Sequence, residues 1–454
     1  MNSGEQTINA DLLIHAAWII PATDDQAILD NHAIAVHDGR IVAILPSKDC
    51  AAKVRASREL QLPDQALIPG LVNAHGHAAM SLLRGIADDL PLMTWLQDYI
   101  WPLESKWVSE EFVYHGTQLA IAEMLRGGTT CFADMYFFPD ASAKAATETG
   151  MRVQLAAPVI DFPTPWAANA EEGIAKTTAL HDNWRNSELV STAFGPHAPY
   201  SVSDEPLRKI AALAEMLDIP IHMHVHETAF EVEEAVRLTG VRPMQRLYDL
   251  GLLSPRLLCV HATQVNDEDL ALLKQTAAHV IHCPESNLKL ASGFCPVARL
   301  LASDVNVAIG TDGAASNNDL DMFSEMRTAA MLAKACSGDA AAVPAYKALQ
   351  MATINGAKAM GLDQKIGTLE VGKCADITAV RLDSLNTMPL YNPVSQLVYS
   401  TQSNQVSHVW INGKLLLDNG ELTSLNVRNI REQTLVWQQR LKQSAEKAPD
   451  SKPD

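Results

Sequence analysis

Between residues 66 and 313 the chain alternates short apolar runs, rich in β-branched residues, with longer stretches that repeat at helical spacing. The apolar runs are "LIPGLVNAHGH", "TTCFADM", "RVQLAAPVI", "STAFGPHAP", "PIHMHVHE", "LLCVHAT", "HVIHCPESN" and "NVAIGTDG", eight candidate strands. Between them lie segments such as "EEFVYHGTQLAIAEMLRGG" and "SDEPLRKIAALAEMLD". The second opens on Ser203, a residue suited to cap a helix, and continues with an acidic first turn. Continuously apolar strands alternating with helices predict a parallel sheet covered on both faces. Eight such units in about 250 residues predict an α/β fold, a (β/α)₈ TIM-type barrel. An open doubly wound sheet is the alternative, but no glycine-rich nucleotide fingerprint follows the first strand.

The two ends follow a different pattern. "DLLIHAAWIIPATDDQAILDNHAIAVHDGRIVAI" and "VGKCADITAVRLD", with "VSHVWINGKLLLDNGEL" after it, read as strands and turns, with hairpin signals at Asp38-Gly39 and Asn412-Gly413. These segments are expected to pair with each other as a small discontinuous β-sandwich-like domain. The resulting plan gives residues 1–65 and 367–430 to that domain and 66–366 to the barrel. Residues 431–454 are left as a C-terminal helix and a polar tail, "AEKAPDSKPD", too poor in apolar surface to order itself.

Composition narrows the choice of partner. The 454 residues are 47% hydrophobic and 19% charged, which suits a buried core, and the net charge of −18 argues against nucleic acid or an anionic membrane. No run of 18 apolar residues occurs. The first residues lack a basic n-region, and their apolar run is broken by His15, so no secretory signal is expected. Cys50, Cys131, Cys259, Cys283, Cys295, Cys336 and Cys374 are odd in number, scattered and without a CxxC, which predicts reduced thiols in a cytoplasmic protein.

Chemistry is expected where the barrel strands end. His75 and His77 follow the first strand, His197 the fourth, and His222, His224, His226 and Glu227 the fifth. His261, His282 and Asp312 end the sixth, seventh and eighth. Side chains at i and i+2 of a strand share a face, so His75 and His77 can converge, and convergent imidazoles suit Zn²⁺ or a similar ion. A lone strand-end histidine such as His279 or His282 is more often hydrogen-bonded than a ligand. A rim with this many ionisable groups is different, because barrel interiors are filled by Val, Ile and Leu, and such groups are costly without a cation or solvent. "GTLEVGKC" nearly matches a phosphate loop, but Cys374 replaces the Ser/Thr and a strand follows, so it is read as a turn. No GxSxG or HExxH occurs.

"NAHGH", "HVHE", "HAT", "GTDG" and "GTLEVGKCADI" together resemble the amidohydrolase superfamily over nearly the whole chain. Within it, "GLVNAHGHAAMSLLRGIADDLPLMTWL", "FGPHAPYSVS", "HMHVHET" and "SNLKLASG" resemble the 5-methylthioadenosine/S-adenosylhomocysteine deaminases. The resemblance implies one divalent ion per chain, Zn²⁺ or alternatively Fe²⁺, held by His75, His77, His224 and Asp312. It implies that Glu227 shuttles protons, that His261 and Asp312 orient the attacking water, and that His197 contacts the purine. Glu104, in "WPLESKW", matches the carboxylate for the ribose hydroxyls, and the "LPLMTWL" loop, with Trp95 and Met93, the cover over base and thioether. A homo-oligomer acting on a small purine nucleoside is the implied whole. The fourth strand carries no lysine, which disfavours a carboxylated-lysine binuclear centre. Rival readings are a guanine-type purine deaminase, a triazine chlorohydrolase, and a non-catalytic scaffold on the same fold. The segment after the third strand, "DFPTPWAANAEEGIAKTTAL", has Asp161, Glu171 and Glu172 but no basic residue before Lys176. The expectation is that an uncharged methylthio substrate outdoes one with a carboxylate, unless Lys144, Arg152 or a neighbouring subunit compensates.

Overall fold

A computed structural model of the chain describes residues 7–445, so the polar tail after Ala445 lies outside the described residues. Eight parallel strands run in chain order around a barrel: Leu71–Asn73, Thr129–Asp134, Arg152–Val159, Val190–Pro196, Ile221–Val225, Leu257–His261, His279–His282 and Val307–Ile309. Every residue of the second, third, fifth and sixth is buried, as a sheet covered on both faces requires. Two backbone bonds draw the eighth strand to the first, Ala74 N–H to the Ile309 carbonyl and Asp312 N–H to the His75 carbonyl, both 3.0 Å. Gly310 permits that approach, since a Cβ there would stand 2.7 Å from the His75 nitrogen.

Helices cover the barrel. Glu110–Arg126 is capped by Ser109, whose hydroxyl accepts the Phe112 N–H, and Glu110 and Glu111 complement its N-terminus. Ser203 does stand before helix Asp204–Leu217, but its hydroxyl makes no cap bond; its N–H goes instead to Asp161 Oδ2 at 2.8 Å. No helix among the described residues is long and apolar enough to cross a membrane.

The two ends of the chain meet in a second, mixed sheet of eight strands. Ile8–Ile19, Leu29–His37, Arg40–Pro46 and Val54–Pro69 form one half, and Ile377–Arg381, Val406–Ile411, Lys414–Asp418 and Glu421–Leu422 the other. The halves join where Leu67 pairs antiparallel with Ala379. The first expected barrel strand is therefore divided, with Leu67–Pro69 in this sheet and Leu71–Asn73 in the barrel. Asp38-Gly39 and Asn412-Gly413 are both two-residue hairpin turns with positive φ at each central residue. The two turns pack on each other so closely that a Cβ on Gly39 would lie 2.7 Å from the Asn412 carbonyl oxygen. At the same junction Arg152, the first residue of the third barrel strand, donates from Nε and Nη2 to Asp376 at 3.0 and 3.2 Å and from Nη2 to Asn412 Oδ1 at 2.8 Å. Helix Val427–Ala445 returns to the barrel, where the Trp437 ring meets Phe112 edge-on at 5.2 Å.

Candidate active site

His75 and His77 converge, but not by strand alternation. The first barrel strand ends at Asn73, and both histidines lie in the loop beyond it. Asn73 holds the loop's base, donating to Thr311 Oγ1 at 2.7 Å and accepting the Thr311 N–H at 3.0 Å. Buried Asp134 holds its far side through the Ala78 N–H and the Ser142 hydroxyl. The two imidazoles then stand edge-to-face, centroids 4.8 Å apart.

In the fifth strand alternation does operate. His222 and His224 both reach His75, with ring centroids at 5.0 and 4.9 Å, and His222 is the deeper partner, its Nε2 2.8 Å from His75 Nδ1. His226 leaves the set. Its φ of 57° carries it out of the strand, and its ring accepts the Met244 N–H and lies near Asp269. His261, Ala262 and Asp312 are also left-handed, at φ 72°, 48° and 61°, so the chain is bent at three of the strand ends that carry the ionisable groups. His282 is buried in the barrel outside these ligand groups, and His279 bonds the Pro255 carbonyl and Asn306, a structural role.

The donor chemistry tests whether these groups fit a cation. His77 Nδ1 lies 2.7 Å from the Met135 carbonyl and His224 Nδ1 lies 2.8 Å from the His197 carbonyl. A carbonyl only accepts, so each Nδ1 carries a proton, and in the neutral ring the lone pair is on Nε2. The His77 lone pair faces Asp312 Oδ1 at 3.1 Å, and His75 Nε2 faces the same oxygen at 3.2 Å. Two acceptors facing each other in a buried space repel unless positive charge lies between them. Burial works against charge on His77, yet the facing Asp312 carboxylate outweighs it and lifts that imidazole to about 9. Ligating atoms of His75, His77 and His224 lie within 4.8 Å of one another, as do those of His75, His261 and Asp312. Ser286 and Ser316 donate to Asp312 Oδ2 at 2.6 and 2.9 Å, and His261 Nδ1 meets Asn287 Oδ1 at 2.8 Å. Imidazoles and a carboxylate, each oriented by an outer partner, suit a divalent ion.

Glu227 is buried beside this group, its Oε2 3.8 Å from His261 Nε2, and burial raises its pKa. What aims it is a residue that the sequence pattern did not single out. Both carboxylate oxygens of Glu231 accept backbone bonds, from His226 N–H at 3.0 Å and from Glu227 N–H at 2.8 Å. Glu231 thus clamps the peptide that turns His226 out and Glu227 in, while burial lifts its own pKa to about 7. The trace of it in the sequence is Thr228 followed three residues later by Glu231, a capping-box spacing whose acid has been diverted from the helix to the site.

A cavity of about 460 Å³ opens over the rim, lined by His77, His197, Glu227 and Asp312 and also by Trp95 and Glu104. Glu104 is buried, accepts the Tyr136 hydroxyl at 2.7 Å, and is pushed up to about 7 by burial. His197 Nδ1 meets Ser201 Oγ at 3.0 Å, and burial lowers its pKa to about 4, so the ring enters the cavity neutral. Met93, by contrast, does not line this cavity.

The family model for the Amidohydrolase family matches residues 66–416. A 5-methylthioadenosine/S-adenosylhomocysteine deaminase of Saccharophagus degradans is 52% identical over 94% of this chain and 96% of its own. One of the same description from Teredinibacter turnerae is 50% identical over 96% and 98%. The crystal structure of a zinc-bound adenosine deaminase from Xanthomonas campestris superposes with a TM-score of 0.95 at 49% identity, covering 96% of this chain and all of that one.

Proposed function

The chain belongs to the amidohydrolase family and, within it, to the 5-methylthioadenosine/S-adenosylhomocysteine deaminases, and from that premise we propose that it replaces the 6-amino group of an adenine nucleoside with oxygen at a mononuclear zinc site. The observation that carries the reading is the meeting of the His75 and His77 Nε2 atoms on one Asp312 oxygen, with Glu227 beside them. His75, His77, His224 and Asp312 are the residues that hold the ion. When bound, it supplies the Lewis acidity that makes water nucleophilic at neutral pH.

The chain's own groups do the rest. Asp312 and His261 orient the water toward C6 of the purine. Glu227 takes the first proton of the water and delivers it to ring N1, then takes the remaining hydroxyl proton and passes it to the departing amine, so that a C–O bond forms, the C–N bond breaks and ammonia leaves. A raised pKa suits a carboxyl group that must both take and give a proton. Neutral His197 faces the base, Glu104 binds the ribose hydroxyls and Trp95 walls the purine side. Conversion to the inosine analogue is the product. Self-association belongs to the same reading and is supported by the exposed apolar side chains of Phe230, Leu238 and Val241. A cytoplasmic site is supported by the cysteines, all of them free.

The test is ammonia release from purified protein offered adenosine, 5-methylthioadenosine, S-adenosylhomocysteine, guanine and a chlorotriazine, with elemental analysis of the same preparation. Ammonia from the adenine nucleosides and about one zinc per chain are expected. Turnover of guanine or the chlorotriazine alone would overturn the reading.

A further inference from the structure

Beyond Glu104 the cavity changes character. Trp101 stands one helical turn before Glu104 in helix Trp101–Trp107, so the two side chains share a face. The Trp101 ring meets Phe162 edge-on at 6.4 Å. Phe162 comes from the segment that leaves the third barrel strand, where Pro163 and Pro165 restrict the backbone. Ile160, Pro163, Pro165 and Phe137 line the same cavity, with the hydroxyl side chains of Ser105 and Thr164 among them.

Among the described residues no lysine or arginine lines the cavity. Lys176 is held by the Trp166 carbonyl and Glu172, and Lys144 lies over the Tyr114 ring. Arg152, the remaining candidate within the chain to meet a substrate carboxylate, is at the opposite end of the barrel on Asp376. The acids expected to repel such a group are occupied as well. Glu171 pairs with Lys209, Glu172 with Lys176, and Asp161 holds the Ser203 N–H. The wall therefore offers a charged tail neither a counter-charge nor strong repulsion. The hydroxyls of Ser105 and Thr164, which stand among its side chains, carry no charge.

The geometry points to Trp101 and Phe162 as the pair that selects the 5′-substituent, accepting an apolar thioether and rejecting an amino-acid tail. The assignment rests on the deaminase reading, with the base over the zinc ligands and the ribose at Glu104. A zwitterion drawn against this wall loses hydration and finds no counter-charge for its carboxylate, whereas a methylthio group buries apolar surface.

The experiment measures kcat/KM for adenosine, its 5′-methylthio, 5′-ethylthio and 5′-butylthio analogues, and S-adenosylhomocysteine. We expect a rise of about fourfold per methylene added until the wall is covered. Methylthioadenosine should exceed S-adenosylhomocysteine by at least about tenfold. F162A should flatten the dependence on chain length, and F162R should raise S-adenosylhomocysteine relative to methylthioadenosine. Because Phe162 is 48% exposed, neither variant empties a core. An unchanged chain-length slope in F162A, or equal kcat/KM for the two thioethers in the wild type, would overturn the assignment while leaving the deaminase intact. Absence of ammonia from adenosine and every thioether would overturn the deaminase reading, and this assignment with it.

Discussion

The two ends of the barrel bury charge in opposite ways. At the N-terminal end, Arg152 is 3% exposed, and its guanidinium is taken up by Asp376, Asn412 and the Glu188 carbonyl. Asp376 in turn accepts the Asn412 N–H at 2.8 Å. Charge and hydrogen bonds close within the chain. At the C-terminal end Asp312, Glu227, Glu231 and Glu104 are all buried, and the side-chain nitrogens that face Asp312 and Glu227 belong to imidazoles. Several kcal/mol per ion is the approximate cost of burial at either end. One end spends the compensation on fixing the barrel to the second sheet; the other leaves it to an ion and a substrate. Chemistry belongs to the end that the chain leaves incomplete.

The contrast breaks most sharply at Asp312. D312A should lose the divalent ion and fall to background turnover, because a catalytic site already keeps one position for water and has no ligand to spare. Full activity in metal-free protein, checked by elemental analysis, would sink that account. E227Q keeps every proposed ligand, so it should retain the ion and lose about 10³ in kcat, since an amide cannot carry the proton. Metal content and kcat from one preparation decide it. The other end answers in stability. R152A leaves Asp376 buried and unpaired, so urea unfolding should show a loss of about 3–5 kcal/mol, with kcat of the folded protein unchanged. A loss below about 1 kcal/mol would mean that the junction is held by backbone and packing alone.

Smaller effects sharpen the rim itself. E104Q should raise KM for nucleosides by about 10- to 100-fold through loss of a charge-assisted bond, while sparing a free base. If base and nucleoside suffer equally, the ribose role is wrong. E231Q should lower kcat by about tenfold with KM and metal content nearly unchanged, because the amide keeps one acceptor and turns an NH₂ toward the other backbone N–H. Equal changes in kcat and KM would make Glu231 a structural residue only.

Local signals read well along this chain. The period of each strand and helix is set by neighbouring residues, so the eight barrel runs and both hairpin turns are visible in the sequence. The histidine-rich rim is visible for the same reason: ionisable side chains interrupt runs that are otherwise apolar. What stays hidden depends on contacts across space. His75 and His77 meet through a loop held by Asn73 and Asp134, 58 residues separating His77 from its Met135 acceptor. His222, His224 and His226 look equivalent in "HMHVHE" until one left-handed backbone angle expels the third. Arg152 reads as a possible substrate contact, yet it stands at the start of its strand rather than the end, and its partner lies 224 residues away. Pairings at that separation leave no periodic trace.

The join between the halves of the mixed sheet also sets a timetable for synthesis. The strand Val54–Pro69 leaves the ribosome early, but its neighbour Ile377–Arg381 comes about 310 residues later. At roughly 5–20 residues per second the first four strands wait about 15–60 s with one edge unpaired. An open strand edge is a template for the wrong partner, including the same segment of another nascent chain. Translation halted before residue 377 should therefore yield aggregates seeded by the N-terminal strands, and a chaperone that shields that edge should matter most during this interval.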